Sequence, residues 1–216
     1  MRILIRSVGE LCITAGLVVL LFVAYELWGT GAYTQAAQHK LDDELTRSWN
    51  AGPPAGPGKV TTERVRLGHG LALIRIPRLG KSFHYVIIEG VSVADLRKGP
   101  GHYPGTAMPG QIGNFVVSGH RTTYLAPFNK LGELHAGDKI LIDTRARQYV
   151  YKVTSTKVVQ PSDVSVAAPV PEHPKADPTK RLITLTTCNP KYSAAQRLIV
   201  FGQLVSSAPR VKEASS

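Results

Sequence analysis

Cysteine is scarce: Cys12 and Cys188 are the only two in 216 residues. A disulfide scaffold and a four-cysteine zinc ribbon are excluded at that count. No phosphate loop, haem site or metal-ligand constellation is present, so neither a cofactor nor a metal site is expected, and no internal repeat occurs. Acidic residues are also short, 15 Asp+Glu against 26 Lys+Arg, which gives a net charge of +11. That charge alone is compatible with nucleic acid, an anionic envelope or mere solubility. With 43% apolar and 19% charged residues, the chain is neither collagen-like nor wholly disordered.

Long apolar runs are missing except one. Leu11–Tyr25 is an uncharged, mostly apolar stretch, and counting outward from Val8 to Trp28 gives 21 residues, close to the ~20 of a spanning helix. Arg2 and Arg6 precede it, and no Lys or Arg follows until Lys40. That asymmetry predicts the amino end inside and the remaining chain outside, a single-pass protein of the cell membrane with lipid contact through its first helix. A cleavable signal sequence ending at Thr30-Gly31-Ala32 is the alternative, although the run exceeds the ~7–15 residues of a usual signal core. Arg2 and Arg6 balance Glu10 and Glu26, so the whole +11 lies in the exported part. With no RNA- or DNA-reading motif there, a nucleic-acid partner is not expected.

The expected organisation is an anchor over 1–30, a stalk and Pro/Gly linker over 31–68, a catalytic domain over 69–206 and a disordered tail over 207–216. Tyr33–Asn50 is helix-compatible, with Leu41, Leu45 and Trp49 at four-residue spacing, and reads as a solvated or membrane-adjacent stalk. The linker Ala51–Gly58 (AGPPAGPG) suits neither helix interior nor central strand. Seven short runs rich in Val, Ile, Thr and Tyr follow: Leu71–Ile76, His84–Glu89, Asn114–Ser118, Lys139–Asp143, Tyr149–Val159, Leu182–Thr187 and Leu198–Leu204. Ser92–Arg97 and Pro127–Leu134 are the helical patches. Many strands with so little helix predict an all-β sandwich or closed barrel. Pro161–Lys180, which holds Pro161, Pro169, Pro171, Pro174 and Pro178, is long enough to be a functional loop.

Cys12 lies inside the apolar run and Cys188 far out in the exported domain, so they are poorly placed to pair. A lone thiol in an oxidising compartment is a liability unless it is used, although a buried small hydrophobe is the commonest fate of a free cysteine. Cys188 ends the strand LITLTTC, and Pro190 prevents simple continuation. Only a thiolate attacks, so a partner is needed. Among seven histidines, His120 stands out because it ends the strand Phe115-Val116-Val117-Ser118, where a barrel can bring it beside Cys188. If Leu182–Thr187 and Leu198–Leu204 form a hairpin, Arg197 approaches Cys188 across the ladder, able to serve an oxyanion or a peptide backbone.

NFVVSGHRTT, LITLTTCNP and QRLIVFGQL resemble the histidine, cysteine and arginine signatures of the sortases, cysteine transpeptidases of Gram-positive cell surfaces. The resemblance covers about Leu71 to Val205, and the GPGHYPGTAMPGQ lead-in with the CNP continuation is most similar to class E. It implies an eight-stranded β-barrel with a few short helices, preceded by a transmembrane helix; one strand is therefore missing from the seven. It further implies that Cys188 attacks the Thr–Gly bond of a C-terminal sorting signal, LAXTG-type in class E, to form a thioacyl enzyme. An amine of the cell-wall peptide then resolves that intermediate. His120 matches the general acid/base, and Arg197 the group that binds substrate or oxyanion. Tyr103, Thr187 and Ser118 are the further candidates for substrate binding, with the 161–180 loop shaping the signal pocket. A class D-like enzyme reading LPXTG, an envelope cysteine hydrolase and a silent basic envelope-binding domain remain the alternatives.

Overall fold

A computed structural model describes residues 2–25, 29–51 and 66–210. The Pro/Gly linker past Ala51, and the end of the expected tail at 211–216, lie outside the described residues. Helix α1 (Arg2–Ala24) contains an 18-residue window, Arg6–Val23, of mean hydropathy 1.8 with none of it buried in the protein. A predominantly apolar, uncovered helix of that length, with Arg6 and Glu10 paired near its start, is compatible with a membrane span.

Eight strands close a barrel in the order β1-β2-β3-β4-β7-β8-β6-β5. They are β1 (Gly70–Arg75), β2 (His84–Glu89), β3 (Gly101–His102), β4 (Gly113–Ser118), β5 (Lys139–Asp143), β6 (Arg147–Val159), β7 (Arg181–Asn189) and β8 (Gln196–Pro209). The seven expected strands are all present. The missing one is β3, two residues long, which carries no periodic pattern. Among the described residues α-helix is confined to α1, α2 (Thr30–Asn50) and the one-turn α3 (Val93–Leu96), with short 3-10 turns elsewhere. The patch expected at Pro127–Leu134 is a 3-10 turn at Leu131–Glu133. Strand β8 runs past the expected 206 boundary to Pro209, because Arg147–Val150 at the start of β6 pairs with Ser206–Pro209. The backbone ladder there needs no apolar residues.

Alternation sorts each strand into two faces. On β7, Ile183 and Leu185 enter the barrel core with Phe115 and Val117 of β4 and Leu198 and Val200 of β8. Ile199 and Phe201 point outward and pack with Val159 and Val166 into a separate cluster beneath the long loop. At Gly202 an added Cβ would lie 2.8 Å from Ile183 Cγ2 and 2.9 Å from the Lys152 carbonyl oxygen. The crossing of β6, β7 and β8 therefore closes only around glycine.

Helix α2 is not a solvated stalk. Leu41, Leu45 and Trp49 are buried with Leu73, Val86 and Ile88 on the outer face of β1 and β2. The same helix face carries two polar clamps. Because β3 is so short, it meets β2 only at Ile88 and Glu89, which leaves the Val86 backbone without a strand partner on that side. Gln38 supplies one: its Oε1 accepts from Val86 N at 2.7 Å, and its Nε2 donates to Val86 O at 3.2 Å and Lys98 O at 2.8 Å. Thr34, fully buried, donates to Arg97 O at 2.8 Å. Buried backbone groups must be paired, and α2 completes the sheet edge as a strand would. Leu45→Ala is therefore expected to lower unfolding stability by about 2–4 kcal/mol in a denaturant titration of the full chain in detergent. An unchanged midpoint would mean that the helix does not dock.

Candidate active site

The site is set by the two neighbours of β7. On one side β4 runs parallel to it, with Val116 opposite Thr184, Val117 opposite Leu185 and Ser118 opposite Thr186. Two hydrogen bonds extend this register past the strand: Gly119 N donates to Thr186 O at 3.1 Å, and Thr187 Oγ1 donates to Gly119 O at 2.8 Å. These bonds lead the chain past the end of β4 so that His120 follows alongside the end of β7, where Cys188 stands. On the other side, antiparallel β8 places Arg197 directly opposite Cys188. By alternation all three side chains leave the outer face, while Thr187 turns inward and is buried.

Cys188 is a half-buried free thiol. His120 Nε2 is buried without a hydrogen-bond partner among the described residues, whereas Nδ1 lies 3.4 Å from Thr123 Oγ1. Burial, and secondarily the charge of Arg97, hold the imidazole below its usual pKa. Arg197 Nη1 donates to Ala194 O and Gln196 O, both at 2.9 Å, so its guanidinium is held to its own hairpin loop.

Ser118 lies two residues below Cys188, between Thr186 of β7 and Gly101 of β3. Tyr103 is placed lower again: its N–H donates to Val116 O at 3.0 Å, four residues short of His120, or about 13 Å along the strand. A buried network holds its loop. His102 Nδ1 lies 2.7 Å from Glu89 Oε2 and its Nε2 2.8 Å from Thr106 Oγ1, and that hydroxyl donates to Tyr103 O at 2.8 Å. The long loop covers the same level from the β8 side. Asn114 Nδ2 donates to Val166 O at 3.1 Å and Ala168 O at 3.0 Å, while Thr184 Oγ1 donates to Asn114 Oδ1 at 2.8 Å. Lys157 of β6 pairs with Glu172. The loop is thus pinned below Cys188 and does not cover it.

Arg121 was not singled out from the sequence. Its Nη1 donates to Cys188 O at 2.9 Å and Asn189 Oδ1 at 2.6 Å, tying the histidine loop to the end of β7. Desolvation lowers its pKa, opposed by the neighbouring thiol. Its position next to His120 in SGHRTT was the available signal.

A family profile described as the sortase domain matches residues 74–205. Sortase SrtE1 of Streptomyces coelicolor is 38% identical over 215 residues, 96% of this chain and 59% of that protein, so the chain spans less than two thirds of that relative. Sortase SrtE2 of the same organism is 30% identical over 93% of this chain and 82% of its own length. Among solved structures, sortase E1 from Streptomyces coelicolor with a tripeptide in the active site is 40% identical with a TM-score of 0.62, covering 68% of this chain and 95% of that one. The SrtF sortase from Corynebacterium diphtheriae is 33% identical with a TM-score of 0.67 over 76% of this chain and 97% of that one.

Because the folded chain holds the His120 proton less tightly than the unfolded chain, protonating this ring opposes folding. The penalty is absent above the unfolded pKa near ~6.5 and grows as pH falls below it. An NMR titration is expected to place the His120 midpoint below that of a histidine in a short peptide; a midpoint at or above it would contradict the described burial. Thr187→Val, which removes the bond to Gly119, is expected to cost about 1–2 kcal/mol in denaturant unfolding, against no change if that bond is idle.

Proposed function

This chain belongs to the sortase family, and we propose that it is a membrane-anchored class E-like transpeptidase that joins proteins bearing an LAXTG-type signal to a cell-wall amine. What supports the reading is Arg197 paired opposite Cys188 across β7 and β8, with the bonds of Gly119 to Thr186 and Thr187 leading the chain from β4 to His120 beside the end of β7. In the proposed cycle the Cys188 thiol gives its proton to His120, the resulting thiolate sulfur attacks the Thr carbonyl carbon, and the Thr–Gly C–N bond breaks. His120 gives its proton to the departing glycine nitrogen, which leaves a thioester. The acceptor amine then attacks that thioester, His120 takes a proton from it, and the thiol is released as the new amide forms. Arg197, level with the sulfur, donates to the oxyanion or to the signal backbone. Its present bonds to Ala194 O and Gln196 O must then be exchanged in part for substrate. The depressed proton affinity of His120 makes the imidazolium a minor species at neutral pH, which supports slow turnover.

The outer face suits an extended signal. A strand-like peptide advances ~3.3 Å per residue, so the leading Leu, three residues before the scissile Thr, lies roughly 10 Å from the sulfur. That is near the level of Thr184 and Tyr103, between the Tyr103 loop and the pinned 161–180 loop. Tyr103 is the proposed contact for the residue after Leu. Thr187 and Ser118 support the floor, Thr187 through Gly119. The membrane topology follows from the basic residues: Arg2 and Arg6 stay inside and the barrel faces the wall. The exported part then carries the whole +11 toward an anionic polymer.

Incubating the full chain in detergent with an LAXTG peptide and a glycine-type amine is expected to give ligated product, with an LPXTG analogue slower. Cys188→Ala is expected to abolish ligation. Cleavage without ligation would instead mark a hydrolase, and a Cys188→Ala variant that still ligates would overturn the mechanism.

A further inference from the structure

The loop after His120 is strained, and its strain is packed against the histidine. Tyr124, Leu125 and Ala126 have φ of 53°, 60° and 44°, three consecutive non-glycine residues in the left-handed region, which such residues rarely enter. Strain of this kind persists only where the surroundings over-determine it, and it clusters at functional sites. Here the surroundings come from elsewhere in the chain. The Arg97 guanidinium lies 5.8 Å from the Tyr124 ring centroid, and the Tyr124 ring lies 5.0 Å from the His120 ring, tilted by 40°. The Arg97 backbone is tied to α2, whose buried Thr34 donates to its carbonyl oxygen. One turn earlier Gly31 lies alongside Leu125, close enough that an added Cβ would stand 3.6 Å from Leu125 Cδ2. The column therefore runs from α2 through Arg97 and Tyr124 to the imidazole.

We propose that Tyr124, whose ring stands between the Arg97 guanidinium and the His120 imidazole, is a positioning residue that sets the orientation of the His120 ring toward Cys188. The proposal rests on the reading of His120 as the acid/base group. The strained turn bends the chain so that the Tyr124 ring returns over the residue that precedes it by four. Without that ring the imidazole has Thr123 Oγ1 at 3.4 Å, on Nδ1, as its one side-chain hydrogen-bond contact among the described residues. Arg97 adds an electrostatic consequence, since a cation stacked behind the column disfavours a second positive charge on His120. The charged or titratable groups around the ring are Arg97 from the turn after α3, Tyr124 and Arg121 from its own loop, and Cys188 and Arg197 from the hairpin ends.

The test uses the full chain in detergent, with kinetics of LAXTG ligation and an NMR titration of His120. Tyr124→Ala is expected to lower kcat about tenfold to a hundredfold, as misplacement of a catalytic group does, with KM for the peptide changed less than about twofold. Tyr124→Phe, which keeps the ring, is expected to restore most of the rate. Arg97→Gln is expected to move the His120 midpoint and the acid limb of the rate profile upward, and Arg97→Lys to leave both in place. A Tyr124→Ala enzyme with wild-type kcat, or an unmoved midpoint in Arg97→Gln, would overturn the proposal. If Tyr124→Ala fails to fold, Tyr124→Leu, which keeps an apolar side chain without the ring, is expected to show the same loss of kcat. Should the wild type fail to ligate at all, the acyl-transfer reading falls, while the Arg97→Gln titration still decides the placement of the ring.

Discussion

The parallel pairing of β4 with β7 is the constraint on which the remainder depends. A parallel pair cannot be joined by a tight turn, and here more than sixty residues separate Ser118 from its partner Thr186. Those residues include β5, β6 and the long loop, so the meeting of the ends of β4 and β7 is a long-range contact that no local segment can make. Once the register holds, alternation does the rest. A slip of one residue would turn the Cys188 side chain into the core and bring Thr187 to the surface. The bonds from Gly119 to Thr186 and from Thr187 to Gly119 guard against such a slip at the point where the strand gives way to the histidine loop.

The outer face of that sheet is divided between a covered part and an open end. The 161–180 loop lies on the lower part, held by Asn114 and by the apolar contacts of Val166. Helix α2 covers the opposite side of the barrel and reaches the histidine loop through Arg97 and Leu125. Between them lies the end of β7, with Cys188 half-buried and Arg121 bonded to its carbonyl. Rigid elements therefore position each group while the candidate residues sit at their ends, which is where the proposed acyl transfer would place a peptide and an amine.

Much of this was legible in the sequence, for identifiable reasons. The β7–β8 hairpin is local, so the pairing of Cys188 with Arg197 followed from two apolar runs joined by a short loop. The seven longer strands announced themselves by β-branched residues and punctuation. His120 was singled out by its position at a strand end, but nothing local says that β4 pairs with β7; the resemblance of its motif supplied the link. Strand β3 is two residues of Gly and His, too short to show any period. The burial of α2 was misread because half of its contact face, Thr34 and Gln38, is polar and works by completing the β2 edge. Arg97, Arg121 and Tyr124 are ordinary surface types in sequence, and only the folded chain shows what each one touches.

The central claim is that Cys188 carries the acyl group of the signal peptide. Mass spectrometry of the wild-type chain, acid-quenched during turnover of an LAXTG peptide without added amine, tests it most directly. The account predicts a covalent adduct equal to the peptide up to Thr, less the hydrogen of the thiol, located on the proteolytic fragment that contains Cys188. Accumulating product with Cys188 unmodified throughout, or an adduct on any other residue, would contradict it.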